Sequence, residues 1–425
     1  MANNMHFPKR LLSSFPVLGG VLLLLVLLSM LTNGGATGAD REATNGYETD
    51  GEPDIPMLLG NVEAAYAANR GVLGADGKAY FLGETRVSVI DGTKPAIEIP
   101  LPDFAPKPGL WPWDIARDPV TGLIYVSDNN GNAIHVIDDT KVITTLTVDI
   151  TGTPQQLATD EEEGEVYHFY ISQRSGAPQQ YMTVISGTEI VTDVLLPHFV
   201  QIARYNPIDG RIYIGSNSLS SDGKRKNALF VVDKHQVISP SIYPLSEPYA
   251  TVVDLAINSQ TGDFSILLTN QLQSWNSRQK IASIDLFHEG YRSLGCLSVD
   301  PTRGWSYVCG WSIEEEAGYM LVVDKDELIA EIPLQQSWPV MSTVDVAHDY
   351  VYVANYDPTY FSVIRGAEFI TTVDIIGFGT MNMLVDEERG YVYTANADGG
   401  TVSVYGFDST TRPPTFWDFF PFVGR

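Results

Sequence analysis

The chain has 425 residues, 44% of them hydrophobic and 18% charged, with 37 Gly and 25 Pro. That composition is globular and rich in turns, and it excludes a disordered chain. With 52 acidic against 26 basic residues the net charge is −26, which argues against nucleic acid and anionic lipid surfaces as partners.

The first segment is a targeting signal. Lys9 and Arg10 precede the apolar run 17–31, and small residues follow in "TNGGATGAD". A basic head, an apolar middle and a small-residue zone make a signal peptide over 1–39, cut after Ala39. The alternative is an uncleaved anchor over 11–31, near the ~20 residues that span a bilayer. No Cys lies near its end, which excludes a lipoprotein. Residues 40–54, "DREATNGYETDGEPD", form an acidic, flexible linker.

From residue 55 the chain repeats itself. "KAYFLG", "LIYVSD", "EVYHFY", "RIYIGS", "DFSILL", "WSYVCG", "YVYVAN" and "YVYTAN" align on Tyr80, Tyr125, Tyr167, Tyr213, Phe264, Tyr307, Tyr352 and Tyr393. Successive ring positions are 41 to 51 residues apart. Each unit reads as four short strands, as in 114–148, where "DIARD", "LIYVSD", "AIHVID" and "KVITTLTVD" are separated by Asp, Asn and Gly turns. Period-2 alternation with β-branched residues marks antiparallel strands, and four per repeat describe a propeller blade. The fold class is therefore all-β, a β-propeller over 55–407 with eight blades, seven being the alternative. "IPMLLG" at 55–60 is placed to pair with the last unit and close the ring. Asp91, Asp138, Asp233, Asp285 and Asp324 are read as ends of third strands that cap turns. They lie about a blade apart and cannot share one ion.

The units resemble the YVTN-type β-propeller repeats of bacterial and archaeal surface and secreted proteins. "YVAN" at 352–355 and "YTAN" at 393–396 carry the resemblance, followed by "YVSD" at 125–128. The resemblance spans about residues 70–407. The unit with "DFSILLTN" and the insertion "SLSSDGKRKN" depart from it. It implies an extracytoplasmic propeller and leaves the ligand open.

Catalytic motifs are absent: the sequence holds no GxSxG, HExxH, CxxC or phosphate-binding Gly loop. His135, His168 and His198 are scattered, and no metal or cofactor is expected. "DNNGN" at 128–132 fits a hairpin turn better than a calcium loop. The innermost strands carry a polar series, Asp114, Gln156, Gln201, Asp254, Cys296, Thr343 and Asn382, that either binds a ligand or solvates the central channel. The connections at one end hold Trp111, Trp113, Phe199, Tyr249 and Trp338. Aromatic walls with few polar groups suit a small-molecule site, so Trp113, Tyr249 and Trp338 with Asp114 and Asp254 form the candidate site. Loss of Lys9 and Arg10 with the leader takes the charge from −26 to −28, which favours a neutral or cationic ligand, or a protein.

Cys296 and Cys309 are the only cysteines. If the turn "DPTRG" pairs 300 with 305, then 296 faces 309, within disulfide range. The tail 408–425 has five aromatics in "TFWDFFPF" and either docks on the propeller or binds a partner. The reading is an exported, acidic, cell-surface or secreted binding module that meets the membrane only through residues 11–31 if they are retained. The alternative is an enzyme on this scaffold, a metal-dependent lactonase or lyase, or a redox propeller subunit, with its site at the channel mouth. Cleavage after Ala39 predicts a native intact mass starting at Asp40; a membrane-bound species retaining residues 1–38 refutes it.

Overall fold

The computed structural model describes residues 54–407 except 66–69, 103–111, 129–131, 149–153, 174–175, 177, 220–224, 239–242, 246–249, 287–290, 313–314, 335–337, 357–358, 378 and 397–398. The leader, most of the linker and the tail lie outside the described residues. All regular elements among the described residues are strands. They form eight antiparallel sheets of four strands, and in blade 4 the outer strand is split into Gln236–Val237 and Tyr243–Leu245.

Blades are numbered here by their innermost strands, Arg70–Leu73, Pro112–Arg117, Pro154–Thr159, Val200–Asn206, Val252–Ile257, Tyr291–Val299, Pro339–Asp345 and Thr380–Asp386. Each innermost strand is adjacent to that of the next blade, and the eighth to the first, so the ring is closed. The eight-blade reading holds.

The burial pattern shows why these sequences stack. Second strands are buried along their length, as in Ile124–Asp128 and Tyr350–Asn355, whereas the outer strand Lys141–Thr147 alternates between exposed and half-buried. A sheet apolar on both faces must be covered on both. Accordingly the buried apolar residues fall into eight clusters, and each lies between one blade and the next. The aligned rings Tyr125, Tyr167, Tyr213, Tyr307, Tyr352 and Tyr393 sit in these seams, at most 2% exposed.

Closure uses both ends of the propeller. Met57–Glu63 pairs with Thr401–Gly406, Met57 facing Gly406 and Glu63 facing Thr401, and becomes the outer strand of blade 8. Its Val62 enters the cluster shared by blades 8 and 1, with Ala79, Phe81 and Tyr393.

The turns follow one rule. The residue ending the first strand caps the turn to the second. Oδ1 of Asp118 accepts from the N–H groups of Val120 (2.8 Å) and Thr121 (3.2 Å), and Asp160, Asn258 and Asp300 do the same. This is the Asx-turn geometry. Two of the third-strand aspartates assigned that role stand differently. Asp91 instead binds Lys94 and Arg389, and Asp285 ends the fourth strand of blade 5, Lys280–Asp285.

Val62→Asp would bury a carboxylate in the closing seam and is expected to lower stability by about 3 kcal/mol or more. Met57→Asp, 54% exposed on the same strand, is expected to change it by less than about 0.5 kcal/mol. Urea unfolding of both variants measures the contrast, and equal effects refute the closing role.

Candidate functional site

The channel-facing position is set by a β-bulge that sequence inspection did not reveal. In blades 2 to 8 the register between the first and second strands shifts once near the start of the inner strand, except in blade 6, where it shifts twice, the second time just before Cys296. The residue immediately after the shift is Asp114, Gln156, Ile202, Asp254, Cys296, Met341 or Asn382. Five members of the expected series, Asp114, Gln156, Asp254, Cys296 and Asn382, occupy this position. Gln201 falls inside the irregular step and is exposed, while Thr343 lies two residues further on, facing Tyr352. Ile202 and Met341 interrupt the polar ring.

The polar members of the ring act as clasps between blades. Asp114 Oδ2 accepts from the Leu157 N–H at 2.9 Å, and its Oδ1 from that of Ile115 at 3.0 Å. Gln156 bonds both backbone groups of Ala203. Asp254 Oδ2 accepts from Leu297 N–H at 3.3 Å, and Oδ1 from Leu255 N–H and from Arg204 Nη2. Each clasp joins an inner strand to that of the following blade. Asn382 Oδ1 is buried with no hydrogen-bond partner among the described residues.

Burial pushes the Asp114 and Asp254 carboxyls above the usual carboxylate range, against the pull of the Arg70 and Arg204 guanidiniums and of the backbone donors. Two carboxylates and two guanidiniums thus share one electrostatic neighbourhood in the channel. The Asp254 side chain keeps 21% exposure.

At the mouth, Trp338 is half-buried and stacks on Trp311 with ring centroids 5.6 Å apart. Trp311 was not singled out from sequence, although it extends the second strand Ser306–Ser312 beyond the repeat motif. Phe199 is 36% exposed. Tyr249, Trp111 and the side chain of Trp113 lie outside the described residues. The site is therefore described through Asp114, Asp254 and Trp338 alone.

Cys296 faces Cys309 in the ladder, Cα atoms 4.9 Å apart, and the two are joined by a disulfide. Cys296 is therefore a cross-link within blade 6 rather than a polar group lining the channel.

Among the described residues the histidines do not converge. His135 Nε2 meets Asp128 Oδ2 at 3.3 Å and its Nδ1 meets Thr145 Oγ1 at 3.0 Å. His168 is fully buried, stacks on Tyr170, and neither ring nitrogen has a partner. Burial lowers its pKa to about 3. Of "DNNGN", residues 129–131 lie outside the described residues. Asp160, Glu163 and Glu165 do come together, but Lys234 and His235 of blade 4 reach Glu163 and Glu165 and balance them.

The end of the ring opposite the mouth, where the tight turns gather, holds a cleft of about 370 Å³ between blades 6 and 7. Its walls include Val344, Val346, Val351, Tyr307 and Tyr350, with Arg303, Asp300, Asp345 and Asp349. No sequence signal marked it except one. At its turn blade 7 has Asp349, with φ 61°, where blades 2 to 6 and 8 have Gly.

No family model matches the chain, and no curated protein matches it. Many solved structures do. The Dos1 propeller shares 13% identity with a TM-score of 0.63, over 83% of this chain and 95% of that one. Hydrazine synthase of Kuenenia stuttgartiensis shares 13% identity with a TM-score of 0.53, over 72% and 98%. Raptor of Chaetomium thermophilum shares 11% identity with a TM-score of 0.52, over 83% and 29%. At these identities the likeness shows the propeller fold alone. The resemblance to YVTN-type repeats rests on the quoted motifs.

His168 makes stability acid-sensitive. Its pKa rises on unfolding from about 3 toward 6.5, so the unfolded chain takes up the proton first and stability falls as pH drops from 6.5 toward 3. His168→Phe is expected to flatten the unfolding midpoint over that window. An unchanged pH slope in the variant refutes this.

Proposed function

We propose that the chain is an exported interaction module, a propeller scaffold outside the cytoplasm that holds a protein or a small neutral or cationic ligand at its channel mouth. The half-exposed Trp311–Trp338 pair at the mouth carries this reading. Aromatic surface left uncovered at a strand end, on a scaffold whose aligned second-strand rings are packed in seams, suits a contact. Export is supported by the leader-like residues 1–39 and by the Cys296–Cys309 disulfide, since disulfides persist in oxidising compartments. The acidic charge of −26 favours a neutral or cationic ligand. No helix among the described residues is long and apolar enough to cross a membrane; the proposal leaves residues 11–31 as the membrane contact if they are retained.

An enzyme on this scaffold would need a carboxylate free to act at the channel. Both oxygens of Asp114 and of Asp254 already accept backbone N–H groups, which favours the scaffold. It also changes what Asp254 is expected to do on mutation. As a clasp, Asp254→Asn should weaken the seam by about 1 kcal/mol, whereas Trp338→Ala should act on binding.

The test uses tagged full-length protein recovered from the extracytoplasmic fraction, with thiol titration under denaturing, unreduced conditions and native mass spectrometry. Expected are no reactive thiols, a bound protein or small molecule, and occupancy at least about tenfold lower in Trp338→Ala, a loss of ~1.4 kcal/mol. Two reactive thiols would remove the support for export. Equal occupancy in wild type and Trp338→Ala would overturn the mouth as the contact.

A further inference from the structure

Phe407 is the last described residue of the propeller. Its ring stacks on His348 with centroids 3.7 Å apart, and lies parallel to Tyr350 at 6.4 Å. Tyr350 belongs to the wall of the 370 Å³ cleft between blades 6 and 7. The residues before the closing strand arrive at the same place, since Ile55 packs with Phe407 on the cluster that contains Tyr350. The chain beyond residue 407 therefore starts at the rim of the cleft. It contains Phe416, Trp417, Phe419, Phe420 and Phe422.

The chemistry of the cleft selects its occupant. Each charged group in the wall is already paired. Arg303 binds Asp300 at 2.7 Å and both oxygens of Asp349. Asp345 accepts from His348 and from the Tyr352 hydroxyl. The Tyr307 hydroxyl donates to the Gly366 carbonyl at 3.0 Å. A ligand that needs new ion pairs would have to break these. Beside the partly exposed Arg303–Asp349 pair, the apolar surface left uncovered comes from Val346, at 41% exposure, and the half-buried Val344. An aromatic ring gains by covering such surface and breaks nothing.

Blade 7 also departs from the repeat at this spot. Asp349 adopts φ 61° where most blades have Gly. A left-handed non-Gly residue costs ~1 kcal/mol or more, and Asp tolerates it better than most. The carboxylate placed there holds Arg303 in the wall through both of its oxygens.

We propose that this cleft takes the aromatic C-terminal segment of the same chain, with Trp417 as the inserted ring. Trp417 stands ten positions beyond Phe407, a reach of up to ~33 Å, so the connection is made without strain. A volume of 370 Å³ is in the range of small-molecule pockets, ~300–1,000 Å³, and accommodates an indole with part of its neighbour. Five large aromatics, each burying ~150–250 Å², are unfavourable in water, and the cleft is a cavity close to where they begin. Docking would tie the chain's end to blade 7 and cover the seam between blades 6 and 7 from the turn side.

The test uses the full chain with Trp417 replaced by p-benzoylphenylalanine, irradiated at low protein concentration and mapped by mass spectrometry of its peptides. An intramolecular adduct on residues 344–351 is expected. An adduct on another blade, a cross-link between two copies, or no adduct on the propeller overturns the proposal. Chymotryptic cleavage after Trp417 of the otherwise native chain, where Asp418 follows, gives an independent reading. Val346→Glu, at an exposed position, is expected to speed that cleavage about fivefold or more by releasing the segment. Cleavage at the wild-type rate in Val346→Glu also overturns it.

Discussion

Everything in this molecule depends on the seam between neighbouring blades. No blade buries both of its faces by itself; each of the eight apolar clusters draws residues from two blades. Stability is therefore a property of contacts between units, as in other repeat architectures. It also means that one open seam would expose two apolar faces. The chain avoids this by sending Met57–Glu63 to the far end of the sequence, where Val62 joins Tyr393 and Phe81. Closure is covalent in effect: blade 8 cannot leave blade 1 without stripping a strand from its own sheet.

Polar groups fix how the apolar faces meet. Near the axis, Asp114, Gln156 and Asp254 hold the backbone of the following blade. At the turn end, the aligned tyrosines do a second job beyond packing. The Tyr125 hydroxyl donates to the Gly187 carbonyl of blade 3, and that of Tyr307 to Gly366 of blade 7. Ion pairs add a third level, Lys78 with Asp139, Arg303 with Asp349 and Arg389 with Asp91. Most of these pairs are half-exposed and each contributes little alone. Their value is registration, because they hold each sheet at one angle to the next.

The same facts explain what could be read from the sequence. The aromatic of the second strand recurs because every seam needs a flat ring in the same place, so repeat, blade number and closing strand were all legible. Cys296 facing Cys309 was legible because one tight turn sets the register of a hairpin. The channel ring was only partly so. An extra residue breaks the register within the inner strands of blades 2 to 8, and nothing in the composition of "PHFVQIAR" or "WPVMSTV" announces where it falls; Gln201 and Thr343 were placed where Ile202 and Met341 stand. Asp285 was misassigned because blade 5 turns earlier, after Leu268, than its neighbours. The roles of Asp114 and Asp254 were the hardest to see. A carboxylate that holds a backbone N–H of another blade looks, in sequence, the same as one that waits for a ligand.

This division of labour bears on where function can reside. The turn end is built from capped tight turns whose charges are mostly paired across seams, so substitution there disturbs the ring. The mouth end is built from connections that carry no such rule: Trp338 leads into blade 7 and its partner Trp311 projects past the end of the repeat strand of blade 6. Because the inner clasps lie just below this rim, they hold the inner strands fixed while the residues above them are free to differ. A rigid ring with a variable rim can change its ligand without changing its fold. That is why the architecture of this chain is written eight times in its sequence, whereas its rim is set by the segments between the repeats.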